Sequence, residues 1–429
     1  MAADTIFALS SGMPPAALAI IRISGPGAMQ AVRTLAGRLP KPRRASLSVL
    51  RGRDGGELDR ALALVFPGPH SATGEDLAEL HLHGGRAVVR AVERELSVLP
   101  GLRRAEPGEF TRRAFANGRI DLNEAEGLAD LLAAETEWQR RAATAMTSGA
   151  FSTRIEEWRN ELLRLSALTE AELDFSDEGD VDVQDNHLIS NACANLHDVM
   201  EAMLAAPALE KLRDGIRVVL GGPPNSGKST LLNALVERDA AIVSDIAGTT
   251  RDMIEVPVAL DGIPFLFIDT AGLRESTDDV VEAIGIDRTR GALADADIIL
   301  WLGDEGEGPD HPNLIEIEAK ADDHSGRVKS ESAMAVSALT GEGMELLVAD
   351  IVERSKMLLP SPDQFAINVR QRKLIHDAAD NLNHAAQTGD WLIVGEYLRR
   401  ARLALDALTG RGDTEDLLDA LFGRFCVGK

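Results

Sequence analysis

The stretch Gly221–Thr230 reads GGPPNSGKST and fits GxxxxGK[ST] on Gly222, Gly227, Lys228 and Ser229. Residue types at that spacing handle phosphate. Glycines let backbone N–H groups close on an anion, and a following helix N-terminus adds its dipole. The lysine reaches the β and γ phosphates of a nucleotide, and the serine hydroxyl binds Mg2+. The flanks supply the setting such a loop needs. IRVVLGG (Ile216–Gly222) reads as an apolar strand and KSTLLNALV (Lys228–Val236) as the start of a helix. The bland alternative is a glycine-rich turn without a ligand, and the strand, turn and helix in succession argue against it. Asn225, Ser226, Gly227, Lys228, Ser229 and Thr230 are therefore candidate nucleotide contacts.

Two more segments extend the pattern. FLFIDTAG (Phe265–Gly272) predicts a buried strand ending in Asp269-x-x-Gly272, with Thr270 and Ala271 between. The aspartate can hold the Mg2+ shell and the glycine N–H can sense a γ-phosphate. SDIAGTTRD (Ser244–Asp252) lies between the two motifs and offers Thr250 as a second Mg2+ hydroxyl. Asp245, Ala247 and Gly248 beside it are assigned to the nucleotide site. DxxG alone is often only a strand-ending turn, but the three motifs in this order and spacing read as a GTPase. The base-recognition candidate is AKAD (Ala319–Asp322), after the strand-like NLIEIE. Asp322 would accept two hydrogen bonds from guanine and Lys320 would stack its stem on the ring. An Asn usually leads this motif, and Ala319 forgoes its bond to base N7 and its loop tether. A neutral hydrogen bond is worth roughly 0.5–1.5 kcal/mol and one to a charged group roughly 1.5–3. Asp322 should thus still select guanine, with affinity lower by about five- to tenfold. Ser337 and Ala338 of VSAL (Val336–Leu339) fit the loop that closes over the base. After DxxG stands Leu273, which cannot orient water as a glutamine there does. Catalysis must come from elsewhere, and Glu282 of VVEAIGI is either that carboxylate or a solvated helix residue.

Three regions surround these motifs. From Thr5 to about Asn117 short β-like runs (Ala17–Ser24, Ser46–Leu50, Ala61–Phe66) alternate with helical stretches such as Ala87–Leu99, an α+β pattern. From about Gly118 to Asp214 the pattern is helical, and Ile155, Trp158, Leu162 and Leu165 form one stripe, read as a core seam. From Gly215 to about Leu359 strands and helices alternate as in a doubly wound α/β sheet. After a linker at Leu358–Asp363 the tail is helical again. The expected boundaries are 1–117, 118–214, 215–359 and 360–429, an α/β domain inserted into a helical one.

The charge of −24 lacks the excess of cations by which free-standing nucleic-acid binders release counterions, so RNA work would need a local patch or a basic partner. Two cysteines, Cys193 and Cys426, make no disulfide framework and fit a reducing compartment. The start MAAD has no leader pattern, and no apolar run reaches the ~18 residues that span a bilayer, so a cytoplasmic protein without a membrane partner is expected.

The motifs together resemble the MnmE (TrmE) family of bacterial tRNA modification GTPases. Beyond the phosphate loop the resemblance rests on TGEDLAELHLHGG (Thr73–Gly85), PGEFTRRAFANGRIDLNEAEGLADLL (Pro107–Leu132), SDIAGTTRD, DTAGLRE (Asp269–Glu275) and FCVGK (Phe425–Lys429), and it covers nearly the whole chain. It implies a multidomain protein: an N-terminal α+β folate-binding-like domain, a discontinuous all-α helical domain and an inserted α/β P-loop G domain. It implies a homodimer with a 5,10-methylene- or 5-formyl-tetrahydrofolate pocket lined by Arg22, Glu79, Arg119 and Lys429. Arg119 stands where the family usually has Lys, which keeps the charge and changes the geometry. The family's G domains pair in the presence of K+, which takes the place of an arginine finger. Asn225 matches the K+-ligating Asn, with oxygens of Ser244, Ile246 and Thr249 completing the site. Glu282 matches the carboxylate that orients water, and Arg251, Glu282 and Cys426 form the expected catalytic set, Cys426 being either chemical or structural. The resemblance further implies a heterotetramer with the FAD-containing subunit MnmG (GidA). That complex puts an aminomethyl-type group on C5 of the tRNA wobble uridine, with GTP, Mg2+ and K+ as cofactors.

Two other classes compete: a regulatory ribosome-assembly switch without folate, and a P-loop ATPase motor, which would usually carry a longer acidic pair. DFSDEGDVDVQD (Asp174–Asp185) lacks the last bidentate Glu of a Ca2+ loop and reads as a solvated loop. His81 and His83 could share a strand face as ligands, but no third ligand is convincingly spaced, and a structural role is expected.

Overall fold

A computed structural model of the chain describes residues 4–175, 184–207, 209–238, 254–270, 291–322, 329–330, 333–361, 364–412 and 415–428. The fold divides into two compact units, Met1–Ala129 with Asp406–Lys429, and Asp130–Leu405.

The first unit is built on a six-stranded sheet in the order β3-β4-β5-β2-β1-β6. Its strands are β1 (Thr5–Leu9), β2 (Leu18–Ser24), β3 (Ser46–Arg51), β4 (Glu57–Phe66), β5 (Leu77–His83) and β6 (Leu102–Arg104). All neighbours are antiparallel except β1 and β6. The sequence LAIIRIS alternates, so Ala19, Ile21 and Ile23 share one buried face. That face is covered by α1 (Ala28–Ala36), through Ala28, Ala31, Val32 and Leu35, and by α2 (Arg86–Ser97), through Val89, Val92 and Leu96. Arg22 and Glu79 emerge on the opposite face, directly paired across β2 and β5. Two short helices follow, α3 (Glu109–Ala116) and α4 (Leu122–Ala133).

The second unit takes in the last residues of α4 from Asp130 and then α5 (Glu137–Thr147), opened by a capping box between Thr136 and Gln139. Next come the helices α6 (Ala150–Phe175), α7 (Gln184–Leu204) and α8 (Glu210–Asp214). The expected stripe of Ile155, Trp158, Leu162 and Leu165 is fully buried on α6. A second sheet follows, ordered β12-β11-β10-β7-β9-β8. It contains β7 (Ile216–Gly221), β8 (Ile254–Leu260), β9 (Ile263–Asp269), β10 (Ile298–Trp301), β11 (Leu314–Ala319) and β12 (Met334–Val336), with α9 (Lys228–Arg238) after β7 and α10 (Met344–Lys356) after β12. Only the edge strand β8 runs antiparallel to its neighbour. Apart from the half-buried Arg217, β7 is apolar and buried, as a strand covered on both faces must be. The chain order reverses direction at β7, and a doubly wound sheet binds ligands beyond the carboxyl end of such a strand. The helices α11 (Val369–Gln387) and α12 (Trp391–Leu408) follow, and α11 packs along α7.

The chain returns to the first unit with α13 (Glu415–Phe422), which packs Phe422 and Phe425 against Phe115, Ala125 and Leu128. No helix among the described residues is long and apolar enough to cross a membrane.

Candidate functional site

β7 delivers the chain at Gly221, and the next turn is shaped by three positive φ angles: Gly222 at 141°, Asn225 at 61° and Gly227 at 102°. Gly222 has a second reason to be glycine. A Cβ there would stand 2.9 Å from the backbone of Leu302 and Gly303, where β10 ends. The turn lines a cavity of about 1140 Å3 with Asn225, Gly227, Lys228, Ser229, Thr230 and Thr270 among its walls.

Lys228, 4% exposed, turns its ammonium into the loop, where Nζ donates to the carbonyls of Gly222 (3.1 Å) and Pro223 (2.8 Å). The Ser229 hydroxyl donates to Asp269 Oδ2 at 2.5 Å. That contact joins the end of β9 to the start of α9 and brings together a hydroxyl and a carboxylate forty residues apart. A hard cation takes oxygen ligands of this kind, one direct and one through water, so the pair fits Mg2+. Ser226 Oγ is buried without a hydrogen-bond partner, a further polar group in the loop for a ligand to satisfy. The Thr270 hydroxyl donates to the Leu220 carbonyl and locks the end of β9 to β7.

The base-recognition turn follows β11. Lys320 sits at φ 61° and its Nζ donates to the Asn225 carbonyl at 3.2 Å, so this lysine now ties the turn to the phosphate loop. The Ser337 hydroxyl donates to Asp322 Oδ1 at 2.5 Å and accepts from the Thr340 N–H. Asp322 is thereby aimed by the loop that contains Ala338. The sequence reading overlooked Trp301, whose indole lines the cavity and lies against Gly221 and Gly303. The signal was present: an aromatic residue ends the strand beside the phosphate loop. Ser244, Asp245, Ile246, Ala247, Gly248, Thr249, Thr250, Arg251, Ala271, Gly272, Leu273 and Glu282 lie outside the described residues, as do Lys429 and most of the acidic segment Asp174–Asp185.

In the first unit Arg22 Nη2 donates to Glu79 Oε1 at 2.9 Å, and the guanidinium also lies 5.8 Å from the centre of the Phe110 ring. His81 shares this face and meets Glu79 Oε2 at 3.2 Å. His83 instead contacts Asp59, so the two histidines have separate carboxylate partners, and no metal-binding cluster occurs among the described residues. Arg119 follows the α3 terminus, where its N–H donates to the Ala114 carbonyl. Cys426 is exposed and is fixed by its neighbours. Val427 bridges to Pro107, and the Gly428 carbonyl accepts from the Ser10 hydroxyl at 2.7 Å. A Cβ on Gly428 would lie 2.0 Å from the Leu9 carbonyl oxygen, and one on Gly108 would lie 2.2 Å from that of Phe422. Cys426 lines a hollow with Ser10, Arg86 and Arg104, a set that does not include Arg22, Glu79 or Arg119. Cys193 is buried on α7, and burial pushes its thiol up to about 11.

An ion network closes the sheet edge. Arg113 bonds Glu109 (3.0 Å), Asp4 (2.7 Å) and Glu75 (3.2 Å), and Arg103 bonds Glu109 and Asp4. Burial alone pushes the Glu109 carboxyl up. The hydrogen bonds from Arg103, the Glu106 N–H and Arg113 outweigh it and hold Glu109 below its ordinary value.

A family model described as "MnmE helical domain" matches residues 122–426, and one described as "GTP-binding protein TrmE N-terminus" matches residues 5–119. The chain is 57% identical over 426 residues to the tRNA modification GTPase MnmE of Erythrobacter litoralis, across 99% of this chain and 100% of that protein. It is 56% identical over 436 residues to the tRNA modification GTPase MnmE of Novosphingobium aromaticivorans, across 99% and 100%. Among solved structures, the G domain of the T. maritima FeoB iron transporter aligns with a TM-score of 0.25 and 25% identity, over 33% of this chain and 98% of that one.

Proposed function

The chain belongs to the MnmE family of tRNA modification GTPases, and from that premise we propose a GTP-driven modification of the tRNA wobble uridine. The protein is a GTPase of tRNA modification. The observation that carries the proposal is the cavity at the carboxyl end of β7, lined by Lys228 and by Ser229, whose hydroxyl is bonded to Asp269. The loop N–H groups and Lys228 hold the β and γ phosphates and offset their charge. Ser229 and Thr250 would hold Mg2+ and Asp269 its shell, and the ion would neutralise charge between the two phosphates. Asp322, steadied by Ser337, accepts from the guanine edge while Lys320 covers the ring.

Asn225, with Ser244, Ile246 and Thr249, would hold K+ in a G-domain pair of a homodimer, where the ion would supply the positive charge of an arginine finger. Glu282 orients water, and Arg251 assists it. In the N-terminal domain the Arg22–Glu79 pair keeps its side chains 28% and 17% exposed, so it is open to a ligand. Glu79 has lone pairs left for a pterin N–H edge, and Arg22, Arg119 and Lys429 suit the carboxylates of a tetrahydrofolate tail. When bound, the folate supplies the one-carbon unit. MnmG, carrying FAD, completes a cytoplasmic heterotetramer that adds the aminomethyl-type group to C5 of the uridine.

The test is the initial rate of GTP hydrolysis in K+ and in Na+ at matched ionic strength. Strong stimulation by K+ is expected, and it should vanish in Asn225→Ala. Equal, slow rates in both salts would refute the ion site and favour a regulatory switch.

A further inference from the structure

The sign of the charge changes along this chain. Residues 1–117 hold sixteen Lys and Arg against eleven Asp and Glu, a net of +5, and since the chain totals −24 the remainder carries −29. Such a local excess lets an acidic protein approach a polyanion. The structure gathers part of it in one hollow of the first unit, about 1060 Å3 in volume, lined by Ser10, Arg86, Arg90, Glu93, Arg104 and Cys426 among others. Arg86 and Arg90 are one turn apart on α2 and therefore face the same way. Arg86 is steadied by donating Nε to the Pro14 carbonyl at 3.1 Å. Arg104 pairs with Glu93, the only acid among the lining residues, at 2.9 Å. Among the described residues no carboxylate pairs with Arg86 or Arg90, so the hollow keeps a net of two positive charges. A guanidinium presents a planar fork that matches phosphate oxygens.

We propose that this hollow is a phosphate-backbone subsite for RNA. Arg86 and Arg90 take adjacent phosphodiesters, Arg104 borders them, and the strand is led past the Cys426 thiol. The inference rests on the tRNA-modifying reading and adds the surface by which this chain itself touches the RNA. The contacts are to backbone phosphate and carry no base preference.

The probe is a fluorescein-labelled anticodon stem-loop RNA, its anisotropy followed with the full chain from about 50 to 200 mM NaCl. Each single-stranded phosphate contact contributes about 0.7 to the slope of log K against log salt. Arg90→Gln should therefore flatten the slope by about 0.7 and the Arg86→Gln/Arg90→Gln pair by about 1.4. Arg90→Lys should restore most of the slope, and circular dichroism and the melting midpoint establish that each variant folds. A folded double variant with wild-type affinity and slope overturns the proposal. So does loss of 5-formyl-tetrahydrofolate binding with the RNA slope intact, which would give the hollow to folate. A wild-type chain that fails to hold the RNA at about 50 mM NaCl also overturns it. In that case the tRNA-modifying reading is judged separately, by assaying modified wobble uridine in cells that depend on this chain.

Discussion

Replacing Ala319 by Asn should tighten guanine-nucleotide binding. β11 ends at Ala319, and a Cβ built on Gly227 would stand 3.6 Å from the Ala319 methyl group, so the base-recognition turn and the phosphate loop are already neighbours there. The tether between them is the Lys320 ammonium on the Asn225 carbonyl, a contact from a flexible stem. An Asn at 319 adds an amide that can bond the loop backbone and base N7. One neutral hydrogen bond is worth about 0.5–1.5 kcal/mol, or about two- to twelvefold in Kd. With part of the gain lost to ordering the new side chain, a five- to tenfold tightening of GDP and GTP is a reasonable magnitude, about 1–1.4 kcal/mol. Because N7 is common to both purines, the preference for guanine should stay with Asp322. Asp322→Asn should lose at least about tenfold, since bonds to a charged acceptor are worth about 1.5–3 kcal/mol each. The assay is displacement of an N-methylanthraniloyl-GDP probe by GDP, GTP and ATP, with the melting midpoint of each variant as a check on folding. Unchanged or weaker GDP binding in a folded Ala319→Asn protein would refute the account of the turn. Comparable GTP and ATP affinities in the wild type would refute the role given to Asp322.

Lys228→Ala should weaken GTP by at least about a hundredfold, because a nearly buried ammonium with charge-assisted bonds is lost; isothermal titration reads this directly. Gly428→Ala should release the terminal segment, since the added Cβ falls 2.0 Å from the Leu9 carbonyl oxygen. Alkylation of Cys426 should then quicken, while Cys193, buried and with its thiol pushed up to about 11, stays silent until unfolding. Acid should destabilise the first unit through Glu109. Its folded value lies below the ordinary 4.5, so its stabilisation is present above pH 4.5 and is lost as pH falls through the folded value. Urea titrations at stepped pH should show that loss shrink in Glu109→Gln, and an identical acid limb in the variant would refute it.

The G domain was legible because its signals are local. IRVVLGG and FLFIDTAG became β7 and β9, since buried parallel strands are written as nearly continuous apolar runs, and NLIEIE became β11, where Ile315 and Ile317 are buried and alternate with Glu316 and Glu318. Lys228 and Ser229 were placed by spacing alone. The first unit was read less fully. The runs at Ala17, Ser46 and Ala61 became β2, β3 and β4, the last starting earlier at Glu57, and β1 and β6 were not foreseen. β6 has three residues and exists through its pairing with Thr5–Phe7, a register no window of sequence contains. Arg22 and Glu79 look like ordinary surface charges until the sheet sets them opposite each other, and only the family resemblance singled them out. The cationic hollow was illegible for the same reason: α2, β6 and Cys426 meet across hundreds of residues.

The bond from Ser10 to the Gly428 carbonyl spans 418 positions. A ribosome adds about 5–20 residues per second, so roughly 20–80 seconds separate the synthesis of its two halves. Through that interval the sheet has emerged without α13 or the Cys426 wall, and the face that Phe422 and Phe425 later cover is bare. Residues translated late thus finish a unit whose sheet was translated early. A truncated product from a stalled message would carry a G domain yet lack one side of the hollow that holds Cys426. Nucleotide turnover alone would not reveal the defect.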